Sequence, residues 1–284
     1  MQVATTIAEI RTWVRETHAA GKTVGFVPTM GALHAGHISL IQAAARQCDS
    51  VVVSIFVNPT QFGPGEDFAK YPRPLKRDLA LCEQHGVDAV FAPSRDEMYP
   101  RENLTWVTVE KVSEPLCGRF RPGHFRGVAT VCTKLFNIVG ADAAFFGQKD
   151  AQQVAVIQRM VADLNLPLEI VVCPTVREPD GLAMSSRNQY LRPQERKEAT
   201  VIYRSLQRSA ELIRGGETTI ARIAEQMQEV LGQVPALQVE YVSIVDAASL
   251  EDLPRVQGRV LVAVAGRLGS TRLIDNIVVD VDTK

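Results

Sequence analysis

The chain has 284 residues, 46% of them hydrophobic, enough to build a real core in one large domain or two unequal ones. With 31 basic residues against 32 acidic ones, its formal charge of −1 gives no global attraction for nucleic acid or an anionic membrane, so any anion must be held by local arrangement. No run of 18 apolar residues occurs, and no membrane span is expected.

The first 22 residues, MQVATTIAEIRTWVRETHAAGK, carry Glu9, Arg11, Arg15 and Glu16 among apolar positions. They read as an amphipathic helix, not a signal peptide. A strand is expected over 23–28 and a helix over 36–47. Between them lies VPTMGALHAGH, the most informative stretch of the chain. Gly31 and Gly36 remove side chains where a backbone must approach phosphate closely. The first amides of the helix are unpaired donors at a positive dipole end. His34 and His37, at i and i+3, share one side of its first turn and can donate to bridging oxygens. These features together point to a nucleoside triphosphate. Two other readings stay open. The histidines also suit a metal, although zinc needs a third and usually a fourth ligand, and none stands at finger-like spacing nearby. They also suit a helix cap with no chemistry. The Walker pattern GxxxxGK[ST] is absent.

Strands follow over 50–57, 88–92, 142–146 and 168–173, alternating with helices over 75–85, 128–139 and 151–164. That order predicts parallel pairing with right-handed crossovers, an α/β, Rossmann-like doubly wound sheet. In such sheets ligands sit beyond the carboxyl ends of the strands, near the switch in strand order. The segment NPTQFGPGEDFAKYPRP, 58–74, follows the second strand. There Asn58 and Gln61 offer amide donors and acceptors to a small substrate bearing hydroxyls and a carboxylate. Ordinary turn residues read equally well. CGRFRPGHFRG, with Arg119, Arg121, His124 and Arg126, reads first as a solvated surface loop. In GQKD, Gly147 ends an apolar strand and Lys149 follows as a compact charge suited to phosphate. Asp150 suits a cap for the next helix, and Gln153, one turn on, faces the same cleft.

After about residue 176 the pattern changes. The polar loop 182–190 contains Ser185, Ser186 and Arg187, two hydroxyls and a guanidinium that match the equatorial oxygens of a triphosphate. Helices over 193–214 and 218–231, broken at Gly215 and Gly216, precede strands over 238–245, 259–265 and 272–279. Helices grouped before strands make an α+β module. The expected domains are therefore 1–176 and a smaller C-terminal one, 177–284. Cys48, Cys82, Cys117, Cys132 and Cys173 are scattered and odd in number, without a CxxC pair. Free thiols in a reducing, cytoplasmic compartment are expected.

These motifs in combination resemble a known family. PTMGALHAGH is similar to the HxGH signature of the nucleotidyltransferases that include class I aminoacyl-tRNA synthetases, and MSSRN takes the place of their KMSKS-type motif. PTMGALHAGH, SIFVNPTQF, RPGHFRGV, FFGQKDAQQ, DGLAMSSRNQYL and RLIDN, in that order over nearly the whole chain, resemble the pantoate–β-alanine ligases. The resemblance implies condensation of pantoate with β-alanine to give pantothenate. ATP would be cleaved to AMP and diphosphate through a pantoyl adenylate. It implies ATP against Met30, Gly31, Ala32, Leu33, His34, Ala35, Gly36 and His37, against Gly147, Gln148, Lys149 and Asp150, and against Val176, Met184, Ser185, Ser186 and Arg187. Pantoate is implied at Gln61 and Gln153, with β-alanine also near Gln61. His37 is implied as the catalytic acid, with magnesium as cofactor and a homodimer as the assembly. MSSRN lacks the lysine of the superfamily motif, and Lys149 is expected to supply that charge.

A carboxylate and an amine do not condense near neutral pH unless the carboxyl gains a leaving group. The protein's part in adenylation is positioning and charge stabilisation. His34, His37, Lys149, Ser185, Ser186 and Arg187 are the expected catalytic set. Magnesium retains several waters and needs few protein ligands, so Asp78 and Asp150 are expected to meet it through water or phosphates. The 177–284 domain reads as a lid that keeps water from the adenylate, hinged over 176–180. Two other functions stay open. A nucleotidyltransferase acting on a phosphate ester would be separated by which acid supports pyrophosphate exchange. A nucleic-acid-binding module is disfavoured by the near-zero charge.

Overall fold

Strands buried on both faces have no reason to alternate polar with apolar residues, and the runs VGFVPT and SVVVSI form the centre of a six-stranded parallel sheet. The computed structural model describes residues 1–281. In chain order its helices and strands are β1 (Gln2–Ala4), α1 (Ile7–Ala19), β2 (Val24–Thr29), α2 (Ala35–Gln47), β3 (Ser50–Ile55), α3 (Leu75–Gln84) and β4 (Ala89–Phe91). Next come α4 (Arg95–Met98), α5 (Cys117–Phe120), α6 (His124–Val139), β5 (Ala143–Gly147), α7 (Ala151–Asp163) and β6 (Glu169–Cys173). The remainder is α8 (Pro193–Glu198), α9 (Val201–Arg214), α10 (Ile220–Leu231), β7 (Leu237–Asp246), β8 (Gly258–Leu268) and β9 (Thr271–Val281). Two units divide the described chain. The first holds Met1–Glu110, Arg121–Gly147 and Val156–Pro174; the second holds Lys111–Phe120, Gln148–Ala155 and the described residues from Thr175 onward.

In the first unit the strand order is β1-β4-β3-β2-β5-β6, every pairing parallel. From β2 the chain adds β3 and β4 on one side, then β5 and β6 on the other. The order therefore reverses between β2 and β5, and their carboxyl ends, Thr29 and Gly147, flank the place where doubly wound sheets hold ligands. Val27, Val53, Val90 and Phe145 pack with Leu33 and Ile41 on one face. On the other, Phe136 of α6 meets Phe26 and Phe146 edge-on. The amphipathic first helix is present and opens with a capping box between Thr6 and Glu9. Sequence reasoning missed β1, whose three residues pair with β4 at the sheet edge, because it read them as part of the amphipathic first helix.

The second unit is built on an antiparallel meander, β7-β8-β9, with a bulge at Val239/Tyr241. Helices α9 and α10 cover it, burying Ile202, Leu206, Ile223 and Met227 with Val260, Val262 and Val264. The helix expected over 193–214 is two. Ile202 N–H bonds the Ala199 carbonyl at 3.3 Å, a three-residue step that tightens the turn between α8 and α9.

Candidate functional site

The turn after β2 is built around an internal anion. Gly31 and Ala32 both take left-handed backbone, at φ 80° and 51°, and a turn of this kind aims successive amides at one point. Asp78 of α3 occupies that point. It is 1% exposed and accepts from the Ala32 amide at 2.8 Å and the Leu33 amide at 2.9 Å. A Cβ on Gly31 would lie 3.0 Å from Asp78 Oδ2 and from Ile55 Cγ2, so this position needs glycine for space as well as for its backbone angle. Asp78, expected at the metal, therefore has both oxygens committed to the loop.

The rest of the loop corrects its expected chemistry. The Gly31 amide donates to Thr29 Oγ1 at 3.1 Å, and the Gly36 amide donates to His34 Nδ1 at 3.1 Å. The His34 amide donates to His37 Nδ1 at 3.3 Å, and the His37 amide to the His34 carbonyl at 2.8 Å. The amides expected to meet phosphate are thus used inside the loop. The two histidines cap α2 reciprocally, their rings 4.1 Å apart. Capping is also what sets their chemistry. With both Nδ1 atoms accepting, the neutral rings carry their protons on Nε2.

Gln61 lies beside the same loop, 8% exposed, with its Nε2 3.0 Å from Met30 Sδ. Asn58, expected as a substrate contact, holds Gln61 in place. Asn58 Nδ2 donates to Gln61 Oε1 at 3.1 Å and to the Gly127 carbonyl at 3.2 Å, while its Oδ1 accepts from the Tyr99 and Thr60 hydroxyls, each at 3.0 Å. Asn58 is 1% exposed. Helix α6 reaches this turn because residue 127 is glycine. A Cβ there would collide with the Thr60 carbonyl oxygen and sit 2.7 Å from Gln61 Cα.

The basic segment expected as a solvated loop is, over 121–126, a clamp on this turn. Arg121 donates through Nε and Nη2 to the two Glu66 oxygens at 2.8 and 2.6 Å, and through Nη1 to His124 Nε2 at 2.9 Å. His124 Nδ1–H then donates to the Gln61 carbonyl at 2.8 Å. Burial pushes the Glu66 carboxyl up, but the hydrogen bonds and charge of Arg121 outweigh it and hold the group below its ordinary range. Nothing local in the sequence announces these partners, which lie 55 and 63 positions apart.

In the second unit the Met184 amide donates to the Val176 carbonyl at 2.9 Å, and Arg177 bridges Ala183, so 176–184 forms a small hairpin. Ser185 follows, capping the tight turn Ser186–Tyr190 by accepting from the Arg187 amide at 3.3 Å. Asn188 Nδ2 ties that turn to the hairpin, donating to the Ala183 carbonyl at 3.1 Å and Glu178 Oε1 at 2.9 Å. The Arg177 guanidinium donates to both Asp275 oxygens, at 2.5 and 3.0 Å, and lies 3.9 Å over the Tyr203 ring. Arg196 pairs with Glu178 and Asp180. A hinge must change its backbone angles freely, and the expected hinge, 176–180, is pinned by these ion pairs.

Lys149 joins the same structure. Asn276 Nδ2 donates to the Gln148 carbonyl at 3.0 Å and the Lys149 carbonyl at 2.9 Å, while Asn276 Oδ1 accepts from Gln148 Nε2 at 3.2 Å. Strand β9 thereby connects Gln148–Asp150 to the hairpin that carries Ser185, Ser186 and Arg187. Lys149 Nζ is 3.7 Å from Asp150 Oδ1, and the Asp150 side chain is 46% exposed. Gln153 is half-buried, next to Gln152, whose amide is spent on the Cys117 amide and the Val112 and Pro115 carbonyls. By residue type alone Asp275 and Asn276 went unassigned. The available signal was two adjacent polar residues interrupting an apolar strand.

Among the described residues, no three His, Cys, Asp or Glu side chains group as metal ligands. No helix of the described chain is long and apolar enough to cross a membrane.

A sequence profile described as Pantoate-beta-alanine ligase matches residues 2–278. A protein named pantothenate synthetase from Heliobacterium modesticaldum is 56% identical over 281 residues, covering 99% of this chain and 100% of that one. Another of that name from Pelotomaculum thermopropionicum is 54% identical over 278 residues, covering 98% and 99%. The crystal structure of pantothenate synthetase from Thermus thermophilus is similar at TM-score 0.93 and 47% identity, covering 98% of this chain and 99% of that one. A pantoate-beta-alanine ligase from Francisella tularensis, complexed with beta-gamma ATP and beta-alanine, is similar at TM-score 0.79 and 35% identity, covering 98% and 97%.

Proposed function

This chain belongs to the pantoate-beta-alanine ligase family and is a pantothenate-forming ligase with ATP as a substrate, and on that premise we propose how its own residues divide the work. The pantoate carboxylate attacks the α-phosphorus of ATP, forming an acyl adenylate and releasing diphosphate. The β-alanine amine then attacks the acyl carbon and AMP leaves. One observation carries the assignment of the first step: His34 and His37 are held in the tautomer that points donors, not lone pairs, away from the helix they cap. Such donors stabilise charge building on the α-phosphate. His37 is the proposed catalytic acid. Lys149, Ser185, Ser186 and Arg187 are proposed to neutralise the departing diphosphate, and Val176, Met184 and Gly147 to line the nucleotide.

Gln61 and Gln153 are proposed to bind pantoate, with β-alanine also at Gln61; the buried Asn58 and the Arg121–His124 clamp support this by fixing Gln61. Magnesium, when bound with ATP, would lower the charge of the phosphates. Asp150, whose side chain is 46% exposed, is the carboxylate proposed to hold it through water. A homodimer and a cytoplasmic location belong to the same proposal. The family resemblance supports the first and five free cysteines the second. Light scattering in solution decides the assembly.

Pantoate-dependent exchange of labelled pyrophosphate into ATP tests the first step. His37→Ala and Lys149→Ala are each expected to slow it by about 10² or more, the cost of a lost oxyanion-type donor. Unchanged exchange in both variants would strip His37 and Lys149 of these roles. Exchange supported by a phosphomonoester instead of pantoate would point to a different acceptor.

A further inference from the structure

Strand β9 buries two adjacent polar side chains, Asp275 and Asn276, each 4% exposed. Burying polar groups is unfavourable unless they are bonded, and both are. Asn276 uses its whole carboxamide on the Lys149 turn, with two N–H groups on two carbonyls and its oxygen on the Gln148 amide. Its backbone amide donates to Asp275 Oδ1 at 2.8 Å, and its carbonyl accepts from Arg177 Nη2 at 3.3 Å. Arg177 in turn donates to the Gly181 carbonyl at 3.1 Å inside the 176–184 hairpin. An unbroken line of bonds thus runs from the lysine's own carbonyl to the base of the Ser-Ser-Arg turn.

We propose that Asn276 is a positioning residue for adenylation: it fixes the spacing between the Lys149 ammonium and the Ser185–Arg187 donors by clamping the carbonyls of Gln148 and Lys149 to the strand that anchors the hairpin. This rests on the reading of Lys149 and that turn as phosphate contacts. The carboxamide is specific to the task. A carboxylate of the same shape would turn lone pairs toward two carbonyl oxygens. Groups that share one phosphate chain must be set together, and a shift of about 1 Å can cost 10²-fold in rate.

A double-mutant cycle in the full-length protein tests it, read by pyrophosphate exchange with thermal melting as the check on folding. Asn276→Ala is expected to lower the exchange kcat by about tenfold or more, leaving the KM for pantoate within about twofold. Asn276→Asp is expected to lose at least as much. In a Lys149→Ala background, Asn276→Ala is expected to add less than about threefold, because its effect is transmitted through a side chain already gone. A full loss in that background, or unchanged exchange in Asn276→Ala, overturns the proposal. Normal exchange in Lys149→Ala alone overturns the phosphate reading and the proposal with it, and is told apart by needing no Asn276 variant. Should Asn276→Ala not melt cooperatively, Asn276→Ser keeps one donor and carries the same cycle.

Discussion

Asp78 lies in the first turn of α3, where an acid already suits the positive end of the helix. What holds it there is the left-handed turn after β2, whose Ala32 and Leu33 amides it takes. Asp78→Ala removes the carboxylate that the Ala32 and Leu33 amides bond and is expected to cost about 3 kcal/mol of stability, the loss of two bonds to a charged group. Asp78→Asn, which keeps one acceptor and presents an NH2 to the other amide, should fall between that variant and the native protein. Melting curves rank the three, and pyrophosphate exchange should fall in the same order because the turn leads directly into the histidine caps. The histidines themselves were legible in the sequence as phosphate donors or as caps. The structure shows the caps, and the proposed phosphate contacts build on them. Their tautomer was not legible, since it depends on which nitrogen meets an amide.

At the level of elements, the segment 121–126 shows what partners do to a basic run. Its charge pattern alone places it in solvent, but Glu66 and the Gln61 carbonyl draw Arg121 and His124 into a partly buried clamp. Because the folded Glu66 carboxyl sits below its ordinary value of 4.5, the clamp's contribution is complete above that value and is lost as pH falls through the lowered one. Glu66→Gln is therefore expected to melt below the native protein near pH 7, with the gap closing as both are taken below about pH 4. A gap that stays constant with pH would show that the pair contributes nothing through its charge. Strands β2 to β6 of the parallel sheet were readable as apolar runs between helices, as expected for strands covered on both faces. The break between α8 and α9 was not readable, since Ala199 and Thr200 keep right-handed angles and only the bonding step changes.

For the whole molecule, the segments 111–120 and 148–155 join the second unit through bonds to residues far along the chain, such as Gln152 to Cys117 and Asn276 to Lys149. Composition has no way to encode such membership, whereas the change of pattern after residue 176 is local and visible. The five thiols offer a test of the packing of both units. Four are buried, and burial pushes those of Cys82 and Cys132 up to about 12. In the native protein at neutral pH an aromatic disulfide reagent is expected to reach half-buried Cys48 first, with all five titrating only after denaturation. Fewer than five in denaturant would reveal a disulfide.

The carboxylate inside the first turn also bears on how nucleotide would be received in the proposed site. Many anion-binding loops take their shape only when the guest arrives, and ordering them draws on the binding energy. Here an aspartate built into the protein does the guest's part permanently, so on the proposed reading of His34 and His37 as nucleotide contacts the scaffold under them is already set, and little conformational entropy would be left to lose there on docking.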